Sequence, residues 1–160
     1  MTDPLEAIYN YRRASPRLAT SGQPTEAELA AIAAAGFELV INLALHDDPR
    51  YSLADEPGTV QGLGMDYVHI PVKLSQPTQG DFTAFAAAMQ NNRQRQAWIH
   101  CAANMRVTAF LGLYRVLHED WPEHEAFQLM HELWRPDGVW SAFIADMLAN
   151  RGSETKGGNR

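Results

Sequence analysis

The chain has 160 residues, is 46% hydrophobic and 20% charged, carries a formal net charge of -6 and contains one cysteine, Cys101. That length suits a single domain that buries its own core, expected over 1–150, and the composition is that of a globular chain. One cysteine excludes an internal disulfide and a Cys-rich zinc site, and the lack of a clustered basic face argues against nucleic acid as a partner.

Residues 1–6 are acidic and lack an apolar core, so no signal peptide is expected there. The stretch 1–24 is polar and irregular, with room for a strand over 17–20. Thr25 and Glu28 have the spacing of a capping box, in which each side chain satisfies an orphan amide of the other's backbone. An Ala-rich helix should follow to about Ala35 and stop at Gly36. The β-branched run 37–43 predicts a buried strand. The apolar stretch 29–45 is interrupted by Gly36, Glu38 and Asn42, so it cannot span a bilayer, and no membrane association is expected. His46-Asp47-Asp48-Pro49-Arg50 reads as a loop. Residues 52–63 predict a short helix, weakened by Pro57 and Gly58. Residues 65–72 predict a strand with Pro71 at its end, and 75–80 a loop. A helix over 81–91 places Phe82, Phe85, Ala86 and Met89 on one face.

The segment 97–101 is a short apolar strand. The helix predicted over 105–118 is apolar nearly all round, which marks it as buried. Two more helices are expected over 122–133 and 138–149, with Phe127, Trp134, Trp140 and Phe143 packing them. The Gly-, Ser- and charge-rich 151–160 reads as a disordered tail. The alternation of helix and strand predicts an α/β domain of three layers, a small and mainly parallel sheet flanked by helices.

The chemistry concentrates at the turn between that last strand and the buried helix, His100-Cys101-Ala102-Ala103-Asn104-Met105-Arg106-Val107-Thr108. Successive amides in such a turn can converge on one point, and a helix N-terminus adds partial positive charge. Arg106 can supply a bidentate fork to a phosphate or sulfate. The same field favours a thiolate, which makes Cys101 a candidate nucleophile. A cation at a helix start opposes the dipole, a conflict that a bound anion would remove. No histidine spacing suggests a metal site, and no cofactor is expected.

These residues resemble the cysteine-dependent protein tyrosine and dual-specificity phosphatase superfamily. The resemblance rests on His100-Cys101…Arg106 between strand and helix, on Ile70-Pro71 upstream, and on 18–44, which look like the opening of small bacterial phosphatase-like proteins. It implies a phosphatase-like fold and hydrolysis of phosphate monoesters through a cysteinyl-phosphate, in a small molecule or a phosphoprotein. Cys101 would be the nucleophile. Arg106 and the amides of Ala102, Ala103, Asn104 and Met105 would hold the phosphoryl oxygens, and His100 would tune the thiol from behind. A cytoplasmic, reducing location is the corresponding expectation.

Three features depart from that pattern. Four residues separate Cys101 from Arg106, where the family has five. Aligned from Cys101 without a gap, Val107 takes the arginine position and Thr108 the usual Ser/Thr position. A loop this short is similar to that of rhodanese sulfurtransferases, so a Cys101 persulfide is an alternative. Asn104 stands where a mid-loop glycine is usual, a position Asn tolerates better than other side chains. The loop after Ile70-Pro71 offers no carboxylate, which leaves Asp81 as the candidate general acid. Asp81 also has the spacing of a capping box with Thr78. Asp137, which reads as a turn and cap, and Asp47 and Asp48 at the mouth are its rivals. A non-catalytic phosphate-binding module that keeps only the cradle is a third reading.

Overall fold

A computed structural model describes residues 3–46 and 52–158, with five strands and seven α-helices among them. After a 3-10 turn at Pro4–Ala7 come β1 (Arg12–Arg13), β2 (Leu18–Ser21), α1 (Glu26–Ala34), β3 (Leu39–Asn42), α2 (Glu56–Gly62) and β4 (Asp66–His69). The chain continues through α3 (Gln79–Asn91), β5 (Ala97–His100), α4 (Met105–Glu119), α5 (Glu123–Ala126), α6 (Gln128–Leu133) and α7 (Gly138–Gly158). The sheet order is β1-β2-β5-β3-β4. Only the β1–β2 pair is antiparallel.

The strands alternate their side chains between two cores, and this produces the three layers. Leu39, Ile41 and Ile99 belong to the larger cluster, with Phe85, Phe110 and Val116 from the helices. Val40, Trp98 and Ala19 belong to the smaller one, with Leu29, Ile32 and Val60. Every residue of β3 and β5 is buried, as expected of parallel strands covered on both faces. Trp98 fills the smaller core and donates its indole N–H to Ser21 Oγ at 2.8 Å.

Both capping boxes form. Gly36 sits at φ 99, the left-handed backbone that ends α1. The helix expected over 52–63 shortens to α2. Pro57 falls in its first turn, where a missing N–H is harmless, and Asp55 caps it. The helix expected over 122–133 is divided at Phe127 (φ −99, ψ 13) into α5 and α6. Phe127 turns inward there against Gly112 of α4, where an added Cβ would lie 2.3 Å from its ring. The helix expected over 138–149 continues to Gly158, so the backbone of 151–158 is helical where a disordered tail was expected. No proline interrupts it. Among the described residues no helix is long and apolar enough to cross a membrane.

This topology places β5 between β2 and β3, all three parallel. The turn after β5 is therefore ringed by the carboxyl ends of its neighbours, where open α/β sheets bind ligands.

Candidate active site

Cys101 follows β5 directly and is fully buried. Its amide donates to Ser21 O at 3.4 Å, and His100 O accepts from Leu43 N–H at 2.9 Å. The next residues lean on β2, with Gln23 N–H donating to Ala102 O at 3.0 Å. Gly22 allows this approach. A Cβ at Gly22 would lie 2.5 Å from Ala102 O and 2.5 Å from the Tyr9 ring.

Asn104 has φ 67 and ψ 10, the left-handed conformation inferred for the glycine position. Its side chain does not cap α4. Instead its Nδ2 donates to Asn10 O and Thr20 Oγ1, both at 2.9 Å. Asn10 returns the bond, its Nδ2 donating to Ala103 O at 3.0 Å. With the side chain turned away, the start of α4 stays open. Gly22 and Ala103 form an isolated antiparallel bridge, a pattern that sets the Asn104 amide against Ser21 O. Among the described residues, the amides of Ala102, Ala103, Met105 and Arg106 donate to no protein oxygen. A buried helix start normally finds acceptors for such groups. Open amides at the N-terminus of a 15-residue helix carry partial positive charge of the kind that suits an anion.

Arg106 lies in the first turn of α4, is only 8% exposed, and donates from Nη1 to Val72 O at 2.8 Å. That bond fixes the loop after β4 to the start of α4. The same loop is held further along by Trp140, whose indole N–H donates to Leu74 O at 2.7 Å. Thr108 Oγ1 donates back to Asn104 O at 2.8 Å and faces the Trp134 indole N–H at 3.3 Å. Thr108 thus ties the loop to its own helix.

Asp81 is half-buried at the start of α3. Its carboxylate accepts from Thr78 N–H at 3.1 Å, and its own amide donates to Thr78 Oγ1 at 3.0 Å. The hydrogen bonds of Asp81 are those of a cap. Asp137 immediately precedes α7, whose first residue, Gly138, has φ 53. Asp47 and Asp48 lie outside the described residues. No group of three or more His, Cys, Asp or Glu side chains gathers as metal ligands among the described residues.

Glu56 and Gln23 were not anticipated. His100, fully buried, places Nε2 2.5 Å from Oε2 of an equally buried Glu56. Glu56 Oε1 accepts from Gln23 Nε2 at 2.9 Å. Burial opposes charge on Glu56, but the hydrogen bond and charge of His100, with smaller help from Gln23 and His46, outweigh it. Its carboxyl is held below the ordinary carboxylate value. A Glu in a helix weakened by Pro and Gly carries no sign of burial in the sequence.

The family described as DSP-PTPase phosphatase fused to NAD+ kinase matches residues 8–135. The chain belongs to this family. A DUF442 protein of Shewanella putrefaciens CN-32 is 32% identical with a TM-score of 0.84, covering 92% of this chain and 97% of its own. Tk-PTP in its active form is 19% identical, with a TM-score of 0.70, over 89% of this chain and 95% of its own. Pseudomonas aeruginosa TpbA is also 19% identical, with a TM-score of 0.70, over 97% and 94%. The last two show the shared fold. No curated protein matches the chain. The phosphatase superfamily expected from His100-Cys101…Arg106 is thus the superfamily to which the chain belongs, and its fold supports a phosphatase activity.

Proposed function

We propose that the chain hydrolyses phosphate monoesters through a cysteinyl-phosphate on Cys101. The observation that supports this reading is the turn after the central strand: open amides at Ala102, Ala103, Met105 and Arg106, and a buried Arg106 in the first helical turn, directly after the lone cysteine. Cys101 Sγ attacks phosphorus, an S–P bond forms, and the ester P–O bond breaks with its electrons on the leaving oxygen. That oxygen takes a proton from solvent water. Water then attacks phosphorus, the S–P bond breaks, and the thiolate returns with release of inorganic phosphate. The amides and the guanidinium face the charge on the non-bridging oxygens, the type of stabilisation that dominates such barriers. The substrate is the phosphate monoester of a small molecule or a protein, and a reducing cytoplasm would keep the thiol available.

Acid quenching during turnover of p-nitrophenyl phosphate, followed by intact mass, tests this. One phosphoryl group on Cys101 is the expected result. A gain of one sulfur after thiosulfate, with no phosphoryl adduct, would install the sulfurtransferase reading instead. Oxyanion binding with neither adduct would leave a phosphate-binding module without catalysis.

Asp81 serves its helix in this reading. Asp81→Ala should lower stability by about 1 kcal/mol, the usual cost of a lost cap. It should leave the rate ratio between p-nitrophenyl phosphate and the poorer leaving group of phenyl phosphate unchanged. A selective loss on phenyl phosphate would make Asp81 the proton donor to the leaving oxygen.

A further inference from the structure

The Glu56–His100 pair adjoins the backbone of Cys101, and the reaction just described gives it no part. Its proton inventory can be read from its partners. His100 Nδ1 lies 3.2 Å from Cys101 O. A carbonyl oxygen only accepts, so Nδ1 carries a hydrogen. Glu56 Oε1 receives an amide N–H from Gln23, so that oxygen carries none. The 2.5 Å contact between Nε2 and Oε2 holds the remaining proton. A carboxylate with a donor on each oxygen is favoured in its charged form, which leaves the imidazole with a hydrogen on both nitrogens. The pair is fully enclosed, so neither charge has water as a substitute partner.

We propose that Glu56 is a positioning residue for the chemistry of Cys101, holding His100 as an imidazolium whose Nδ1–H grips the Cys101 carbonyl and whose charge acts on the nucleophile through that residue's backbone. The inference rests on the proposed function for its purpose, but its geometry is independent of the substrate. Glu56 reaches His100 from α2 and Gln23 joins from just after β2, so two contacts tie two elements to the residue before the nucleophile.

Other titratable groups face the pair. His46 and Tyr67 interact electrostatically with Glu56, and His46 also with His100. His46 Nε2 lies 2.9 Å from Asn42 Nδ2 and 3.2 Å from Tyr67 Oη, and its ring stacks on His69 at 4.2 Å. Burial and His69 hold His46 below the ordinary histidine value, and burial with Glu56 raises Tyr67. His46 is the neighbour whose titration could be mistaken for that of the pair, so His46→Gln serves as the control.

Two measurements decide the matter. The first is 15N NMR of the His100 ring near neutral pH, where the wild type should show both nitrogens protonated and Glu56→Gln only one. The second is iodoacetamide alkylation of Cys101 against pH, which reports a single site because the chain has one cysteine. Glu56→Gln keeps the shape and the hydrogen bonding but removes the charge. It should alkylate about tenfold more slowly than wild type near pH 6, the equivalent of about one pH unit, with the rates converging at high pH. Glu56→Asp should recover part of the difference, and His46→Gln should follow the wild type. A merely structural Glu56 would change the melting temperature without moving the profile. Any one of three results overturns the inference: a singly protonated His100 in the wild type, an unchanged profile in Glu56→Gln, or a wild-type thiol inert at every pH. Normal alkylation profiles in a protein without phosphate-ester turnover would instead refute the proposed function and leave the pair's role standing.

Discussion

Cys101→Ser is expected to lower turnover of p-nitrophenyl phosphate by about 10^4-fold or more, the scale on which removal of a nucleophile acts. The substitution is small and the surroundings are well defined. Cys101 is fully buried among Leu43, Ile99 and Val107, so the variant should fold. It should also keep its oxyanion site, since the amides of Ala102, Ala103, Met105 and Arg106 and the Arg106 guanidinium are untouched. Saturating phosphate or vanadate should therefore raise its melting temperature about as much as that of the wild type. At a ligand concentration of about 100 times Kd, native-state binding contributes about 2.7 kcal/mol. Equal turnover by the variant and the wild type would sink the proposed mechanism. Lost turnover with retained binding separates the nucleophile from the cradle.

Arg106→Ala should do the reverse to binding. The loss of a preorganised donor to the phosphoryl oxygens should lower kcat/KM by about 10^2- to 10^3-fold. Thermal stabilisation by phosphate should largely disappear, because the full positive charge of the turn goes with the side chain. Stability should fall as well, by about 2 kcal/mol, since a buried charged donor to Val72 O is removed and that carbonyl is left without its partner. Arg106→Lys should fall between, retaining charge without the planar fork. Retained phosphate binding in Arg106→Ala would show that the amides alone hold the anion. Wild-type kcat/KM in that variant would remove Arg106 from the mechanism.

The parts of the molecule that follow local rules were legible in the sequence. β3 and β5 announce themselves as short apolar runs bounded by Gly36 and the polar 91–96. Both capping boxes depend only on a three-residue spacing. The left-handed Asn104 follows from which side chains tolerate that backbone. What could not be read depends on partners far along the chain. β1 is two residues long and has no periodicity to detect. The break at Phe127 arises because Gly112 leaves room for its ring. Glu56 looks like any surface Glu until the fold brings His100 against it, 44 residues away. The Val72 carbonyl that anchors Arg106 is backbone, so no residue type marks it.

The reciprocal bonds between Asn10 and the 103–104 turn have a consequence for the order of events in folding. They join positions 93 and 94 residues apart. During synthesis the amino-terminal half of this clasp leaves the ribosome long before its partner exists, so Asn10 keeps its bonds to water until the chain beyond Asn104 emerges. Closing so long a loop carries its entropic penalty before any contact rewards it. The reactive turn is therefore among the last parts of the molecule to lock. A chain in which this clasp is still open carries its one thiol without the geometry that would make it useful.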